Sequence, residues 1–116
     1  MAKSKKSYFY VLWCKDRSFY AGYTTDLKRR EGEHNDGIGA KYTRPMSRRP
    51  LDMIYAETFE TRSEAMQAEA GFKRLTRPQK EKYLRSNGIE FPLSKGRTCL
   101  VKEVAEDENT KELPEK

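Results

Sequence analysis

At 116 residues the chain has room for one compact domain rather than two. With 35% hydrophobic and 36% charged residues the core is modest, and no apolar run approaches the ~18 residues of a membrane helix. Residues 1–101 carry a net +9 and residues 102–116 a net −3, a division that points to an anionic partner such as nucleic acid.

Residues 1–6 read as a flexible basic start, without the apolar stretch of a signal peptide, so the expected location is cytoplasmic. Tyr8 to Cys14 is aromatic and β-branched, which predicts a strand buried on both faces. Lys15-Asp16-Arg17 is a turn and Ser18 to Tyr23 a second strand, most simply paired as an antiparallel hairpin. A helix follows from about Asp26, with Thr25 or Asp26 as N-cap, and ends near Asn35 because Gly37 suits a C-cap. Glu31-Gly32 interrupts its pattern, and a mid-helix glycine costs about 0.5–1 kcal/mol relative to alanine. Residues 36–50, with two glycines, two prolines and four basic side chains, form a long surface loop of the kind that often carries function. Leu51 to Phe59 alternates as a third strand. Thr61-Arg62-Ser63-Glu64 is a capping box that opens a second helix, with Ala65, Ala68, Phe72 and Leu75 on one stripe. Thr76-Arg77-Pro78-Gln79 repeats the signature for a third helix to about Ser86. The order β-β-α-β-α-α predicts an α/β (α+β) domain over residues 7–90, a three-stranded, largely antiparallel sheet flanked by helices. Residues 91–116 are then an extension, acidic and disordered from about 102.

Several chemistries are excluded by what the chain lacks. His34 is the single histidine, so a two-histidine ribonuclease site cannot be built within one chain. Cys14 and Cys99 have no paired partners for a His/Cys zinc site and read as thiols rather than a disulfide. Walker-type, Gly-x-Gly-x-x-Gly and Gly-x-Ser-x-Gly loops are absent. What remains is Arg30 and His34, four apart and on one face of the first helix, and Gly22, where backbone can approach closely. A guanidinium suits phosphoryl charge. Glu69 lies on the edge of the second helix's apolar arc, where a carboxylate needs a cation or donors. Two partners fit it: Lys73 as an i,i+4 salt bridge, or a divalent ion such as Mg²⁺.

Tyr8-Phe9-Tyr10-Val11, Tyr20-Ala21-Gly22-Tyr23-Thr24, Asp26-Leu27-Lys28-Arg29-Arg30 and His34-Asn35 together resemble the GIY-YIG nuclease superfamily. Gly39 to Arg44, and Arg62 to Ala65 through Glu69 and Lys73, resemble its small single-domain bacterial branch, the UPF0213 or YhbQ-like group related to the Slx1 nuclease domain. The resemblance spans about residues 7–85, although the first motif lacks its glycine and isoleucine and Ala21 replaces the isoleucine of the second. It implies a metal-dependent DNA endonuclease acting in repair or recombination. Tyr10, Tyr20, Arg30, His34 and Glu69 would be the catalytic residues, and Glu69 the ligand of one Mg²⁺ or Mn²⁺ ion. In such a site the ion polarises the scissile phosphate, Arg30 stabilises transition-state charge, and Tyr10 assisted by His34 handles the attacking water.

The alternative is a non-catalytic or weakly catalytic nucleic-acid-binding module of a larger repair complex; an adaptor for protein partners fits the basic surface less well. Duplex or branched DNA is the expected ligand, gripped through phosphates by Lys41, Arg44, Arg48, Arg49 and Lys73 with Tyr42 stacking. A protein partner would supply substrate specificity.

Overall fold

The computed structural model describes residues 6–93 and 99–103. Strands β1 (Ser7–Trp13) and β2 (Phe19–Thr24) form the hairpin, with Tyr10 opposite Gly22 and Leu12 opposite Tyr20. Its turn is closed by Arg17 at φ 69° and by Asp16 Oδ1, which accepts from the Ser18 amide at 3.1 Å. Strand β3 (Asp52–Phe59) pairs antiparallel with the other side of β1.

Side chains alternate across a sheet, so β1 supplies two cores. Phe9 and Val11 pack with Tyr55, Phe72, Leu84 and Ile89, while Tyr10 and Leu12 pack with Leu51, Met53 and Ala56. Helices α2 (Arg62–Lys73) and α3 (Arg77–Ser86) cover the first core through Phe72 and Leu84. Helix α1 (Leu27–Asn35) lies on the second side, contributing Leu27 and the fully buried His34.

Caps fix where each helix starts. Asp26 accepts from the Arg29 amide at 3.1 Å, and both threonine capping boxes are complete, each cap being worth about 1 kcal/mol. Gly37 at φ 82° turns the chain out of α1. The helix runs unbroken through Gly32, and Glu31 has a purpose: it accepts from the Met53 amide at 2.9 Å, beside the irregularity that interrupts the β1–β3 register. On the other face the buried Glu57 accepts from the Tyr55 and Tyr83 hydroxyls, tying α3 to β3.

The sheet differs from expectation in having four strands. Leu100–Glu103 is β4, parallel to β3, and the order is β2-β1-β3-β4. Lys102 and Glu103, placed by composition in a disordered tail, are therefore strand residues. The inward positions of β4 are Leu100 and Lys102, whose ammonium reaches Asn87 Oδ1 at 3.0 Å. A lysine at an inward position hides the alternation that marks a strand. The remainder of the expected tail, 104–116, and residues 1–5 lie outside the described residues.

Candidate active site

Tyr10 sits in the middle of β1 with its ring laid across β2 at Gly22. A Cβ on residue 22 would stand 2.4 Å from the Tyr10 hydroxyl and 2.7 Å from Cζ, so only glycine leaves room for the ring. The hydroxyl meets two groups from α1: His34 Nε2 at 2.8 Å and Arg30, whose Nε–H donates to it at 3.3 Å. One turn of helix separates Arg30 from His34, which is why both reach the same phenol.

His34 is held from its other side as well. Its Nδ1 lies 2.6 Å from Thr43 Oγ1, and that threonine is also fully buried. Gly39 lets the loop pass directly over the ring, since a Cβ there would fall 2.5 Å from Nδ1. Asn35 fastens the far end of the loop through a paired amide contact with the Leu51 backbone at 2.8 and 3.1 Å. Burial, followed by the nearby Arg30 charge, pushes the His34 pKa down to about 4 against the opposing pull of Glu33. Burial likewise pushes the Tyr10 phenol up to about 12, with Arg30 working the other way. At neutral pH the pair therefore rests as phenol and neutral imidazole.

A cleft of about 430 Å³ opens beside Tyr10, lined by Tyr20, Arg29, Arg30, Arg62 and Glu69 among others. Since α1 and α2 pack on opposite faces, Glu69 meets the Tyr10–Arg30 group across the edge strand β2. Its carboxylate is 18% exposed and bonds Lys73 at 2.8 Å, the i,i+4 bridge that the sequence allows. Lys73 in turn stands 5.0 Å from the Tyr20 ring. Arg30 donates through Nη1 to Glu33 at 2.8 Å, and Arg29 approaches the same carboxylate at 3.5 Å. These pairs are partly exposed and weak enough for a phosphate to displace.

Tyr10, Tyr20, Arg30 and Glu69 thus line one cleft, with His34 bonded behind Tyr10. The loop residues divide. Lys41 and Arg44 are exposed. Arg48 has partners within the protein: it pairs with Asp16 at 3.1 Å, donates to the Tyr42 carbonyl and covers the Tyr42 ring at 3.9 Å. Arg49 donates to the carbonyls of Arg44 and Asn35. Tyr42 is stacked on Tyr20 with centroids 5.6 Å apart. Arg48, Arg49 and the Tyr42 ring therefore brace the loop from which the DNA contacts are expected. Sequence reasoning missed Arg29, Arg62 and Thr43. Arg62 carried a signal in following the Thr61 cap directly, whereas Thr43 reaches His34 only through the loop's folded path.

A carboxylate offers hard oxygen donors, and Mg²⁺ commonly takes one or two of them with waters and substrate phosphates completing the shell. The described residues contain no cluster of three or more His, Cys, Asp or Glu side chains. Glu69 therefore fits an ion that shares its shell with substrate and water, and does not fit one caged by protein alone.

The pattern of the GIY-YIG catalytic domain matches residues 6–83. A UPF0213 protein of Enterococcus faecalis is 63% identical over 86 residues, covering 74% of this chain and 98% of that protein. The UPF0213 protein YazA of Bacillus subtilis is 56% identical over 82 residues, covering 71% of this chain and 81% of its own length. The solution structure of EF2693 from E. faecalis superposes with a TM-score of 0.52 at 58% identity, covering 81% of this chain and 98% of that one.

Proposed function

The chain belongs to the GIY-YIG catalytic-domain family as a UPF0213 protein, and from that membership we propose that it is a metal-dependent DNA endonuclease hydrolysing phosphodiester bonds in the cleft beside Tyr10. The observation that carries this reading is the meeting of Tyr10, Tyr20, Arg30 and Glu69 in one cleft, from four elements, with His34 bonded behind Tyr10. A carboxylate lining this basic cleft, even bridged to Lys73, works against phosphate binding unless a cation joins it, and a divalent ion there serves hydrolysis.

Each group has a task that its surroundings suit. Arg30 is anchored to Tyr10 through Nε, so its outer guanidinium nitrogens face the cleft edge, able to turn from Glu33 to a phosphate. There it would offset charge growing on the non-bridging oxygens. Tyr10 would orient the attacking water and take its proton as the hydroxide bonds to phosphorus and the ester oxygen departs. Burial opposes a free phenolate, so Tyr10 must pass its own proton to His34 in the same event. Tyr20 closes the far wall. A Mg²⁺ or Mn²⁺ ion held by Glu69 would polarise the phosphate and stabilise the leaving oxygen.

Duplex or branched DNA is the proposed substrate, in repair or recombination, with a protein partner adding specificity. Lys41, Arg44, Arg48, Arg49 and Lys73 are the proposed phosphate contacts, with Tyr42 available for stacking. The test is cleavage of flap, fork, duplex and single-stranded DNA with Mg²⁺, Mn²⁺ or EDTA. Cleavage that EDTA abolishes supports the reading, while DNA binding without cleavage under every metal condition makes the chain a binding module.

A further inference from the structure

We propose that Thr43 is a positioning residue that fixes His34 in its Nδ1–H tautomer, so that the lone pair on Nε2 faces the Tyr10 hydroxyl. Thr43 Oγ1 has a single proton and two neighbours, the Ala40 carbonyl oxygen at 3.1 Å, which also accepts the Thr43 amide, and His34 Nδ1 at 2.6 Å. The carbonyl can only accept. With the hydroxyl proton elsewhere, two oxygens would face each other lone pair to lone pair in a buried space, so the proton goes to Ala40. Thr43 must then accept at its short contact, and Nδ1 must donate.

The other end of the chain of bonds gives the same direction. Tyr10 Oη already receives the Arg30 Nε–H at 3.3 Å. Were Nε2 protonated, it too would donate to Tyr10, and the buried phenol would have to find another acceptor for its proton. With Nε2 unprotonated, the Tyr10 proton has its acceptor at 2.8 Å. One polarity therefore satisfies every member: Arg30 to Tyr10 to His34, and His34 through Thr43 to Ala40. The Ala40 amide, 3.5 Å from Nδ1, is at the outer limit of a hydrogen bond and yields to the 2.6 Å contact. Gly39 keeps the loop close enough for this arrangement.

The consequence for chemistry rests on the nuclease reading above. Only the Nδ1–H tautomer can take the phenolic proton. As Tyr10 takes the proton of the water, its own passes to Nε2, leaving a neutral phenol beside an imidazolium whose Nδ1–H remains bonded to Thr43 and whose new Nε2–H remains bonded to Tyr10. The opposite tautomer would donate to Tyr10 and block that step.

The tautomer can be read without any assay of activity. His34 is the one histidine of the chain, so a long-range ¹H–¹⁵N correlation spectrum of the ¹⁵N-labelled full chain at neutral pH contains a single imidazole. The wild type should show a protonated Nδ1 and an unprotonated Nε2. Thr43→Val should exchange or average the two signals while circular dichroism stays native, and single-turnover DNA cleavage should fall by about 100-fold. Thr43→Ser should restore both, and Tyr10→Phe should leave the tautomer unchanged because Thr43 sets it. A wild-type spectrum with Nε2 protonated overturns the proposal, as does a folded Thr43→Val protein that keeps the wild-type pattern. If Thr43→Val does not fold, the wild-type and Tyr10→Phe spectra still decide. A chain that shows the expected tautomer but cuts no DNA defeats the nuclease reading and leaves the assignment of the proton standing.

Discussion

Acidification from neutral pH to pH 5 should weaken the fold by an amount set by one side chain. His34 is fully buried, and its pKa falls from 6.5 to about 4, first through burial and then through Arg30. Below pH 6.5 the unfolded chain takes up a proton that the folded chain refuses until about pH 4, so the stability is present above 6.5 and drains away as pH falls toward 4. Each pH unit in that window costs about 1.4 kcal/mol, or about 2 kcal/mol between pH 6.5 and 5. That is a large part of the ~5–15 kcal/mol holding a domain of this size together, and it should lower the melting temperature by roughly 8 °C. Asp16 is held below its usual carboxylate value by the Ser18 hydroxyl, and Glu33 by its bond to Arg30. Both are lost at lower pH, which leaves the interval from 6.5 to 5 to the histidine. The assay is urea unfolding at half-unit pH steps for wild type and His34→Gln, whose side chain does not titrate. Wild type should show the slope and the variant should not, whatever its absolute stability. A flat wild-type profile, or the same slope in both, would refute the claim that His34 is buried neutral.

Two substitutions probe the site's geometry. Gly22→Ala sets a methyl group against the Tyr10 ring and should destabilise the protein by about 1–3 kcal/mol; an unchanged melting temperature would show that the ring does not lie across Gly22. Arg30→Ala should lower single-turnover cleavage by about 100-fold or more, and Arg30→Lys should recover only part, because an ammonium keeps the charge but loses the fork that spans Tyr10 and a phosphate; full recovery by lysine would reduce the role to charge alone.

The hairpin, the long loop and both threonine capping boxes were legible because each is a local pattern whose signal lies within a few residues. Strand β4 was not, since four residues with Lys102 turned inward carry too little apolar alternation. In the site, the Arg30–His34 spacing showed a shared helix face, but nothing in the spacing said that the face meets Tyr10. That contact depends on strand register, which puts Gly22 under the ring. The intramolecular partners of the loop arginines were not legible either, since composition counts charges without revealing that Arg48 and Arg49 bond Asp16 and backbone carbonyls. Thr43 is nine residues from His34, and only the folded loop brings its hydroxyl to Nδ1.

The most direct test of the account compares wild type with Glu69→Gln, purified side by side, in single-turnover cleavage of a branched DNA with Mg²⁺, and in DNA binding without metal. Removing the Glu69 carboxylate should abolish cleavage while leaving DNA binding intact or slightly tighter, because a negative charge beside the phosphate has gone. Cleavage by Glu69→Gln within a few-fold of wild type would contradict the metal site, and an absence of cleavage by the wild type itself would contradict the nuclease.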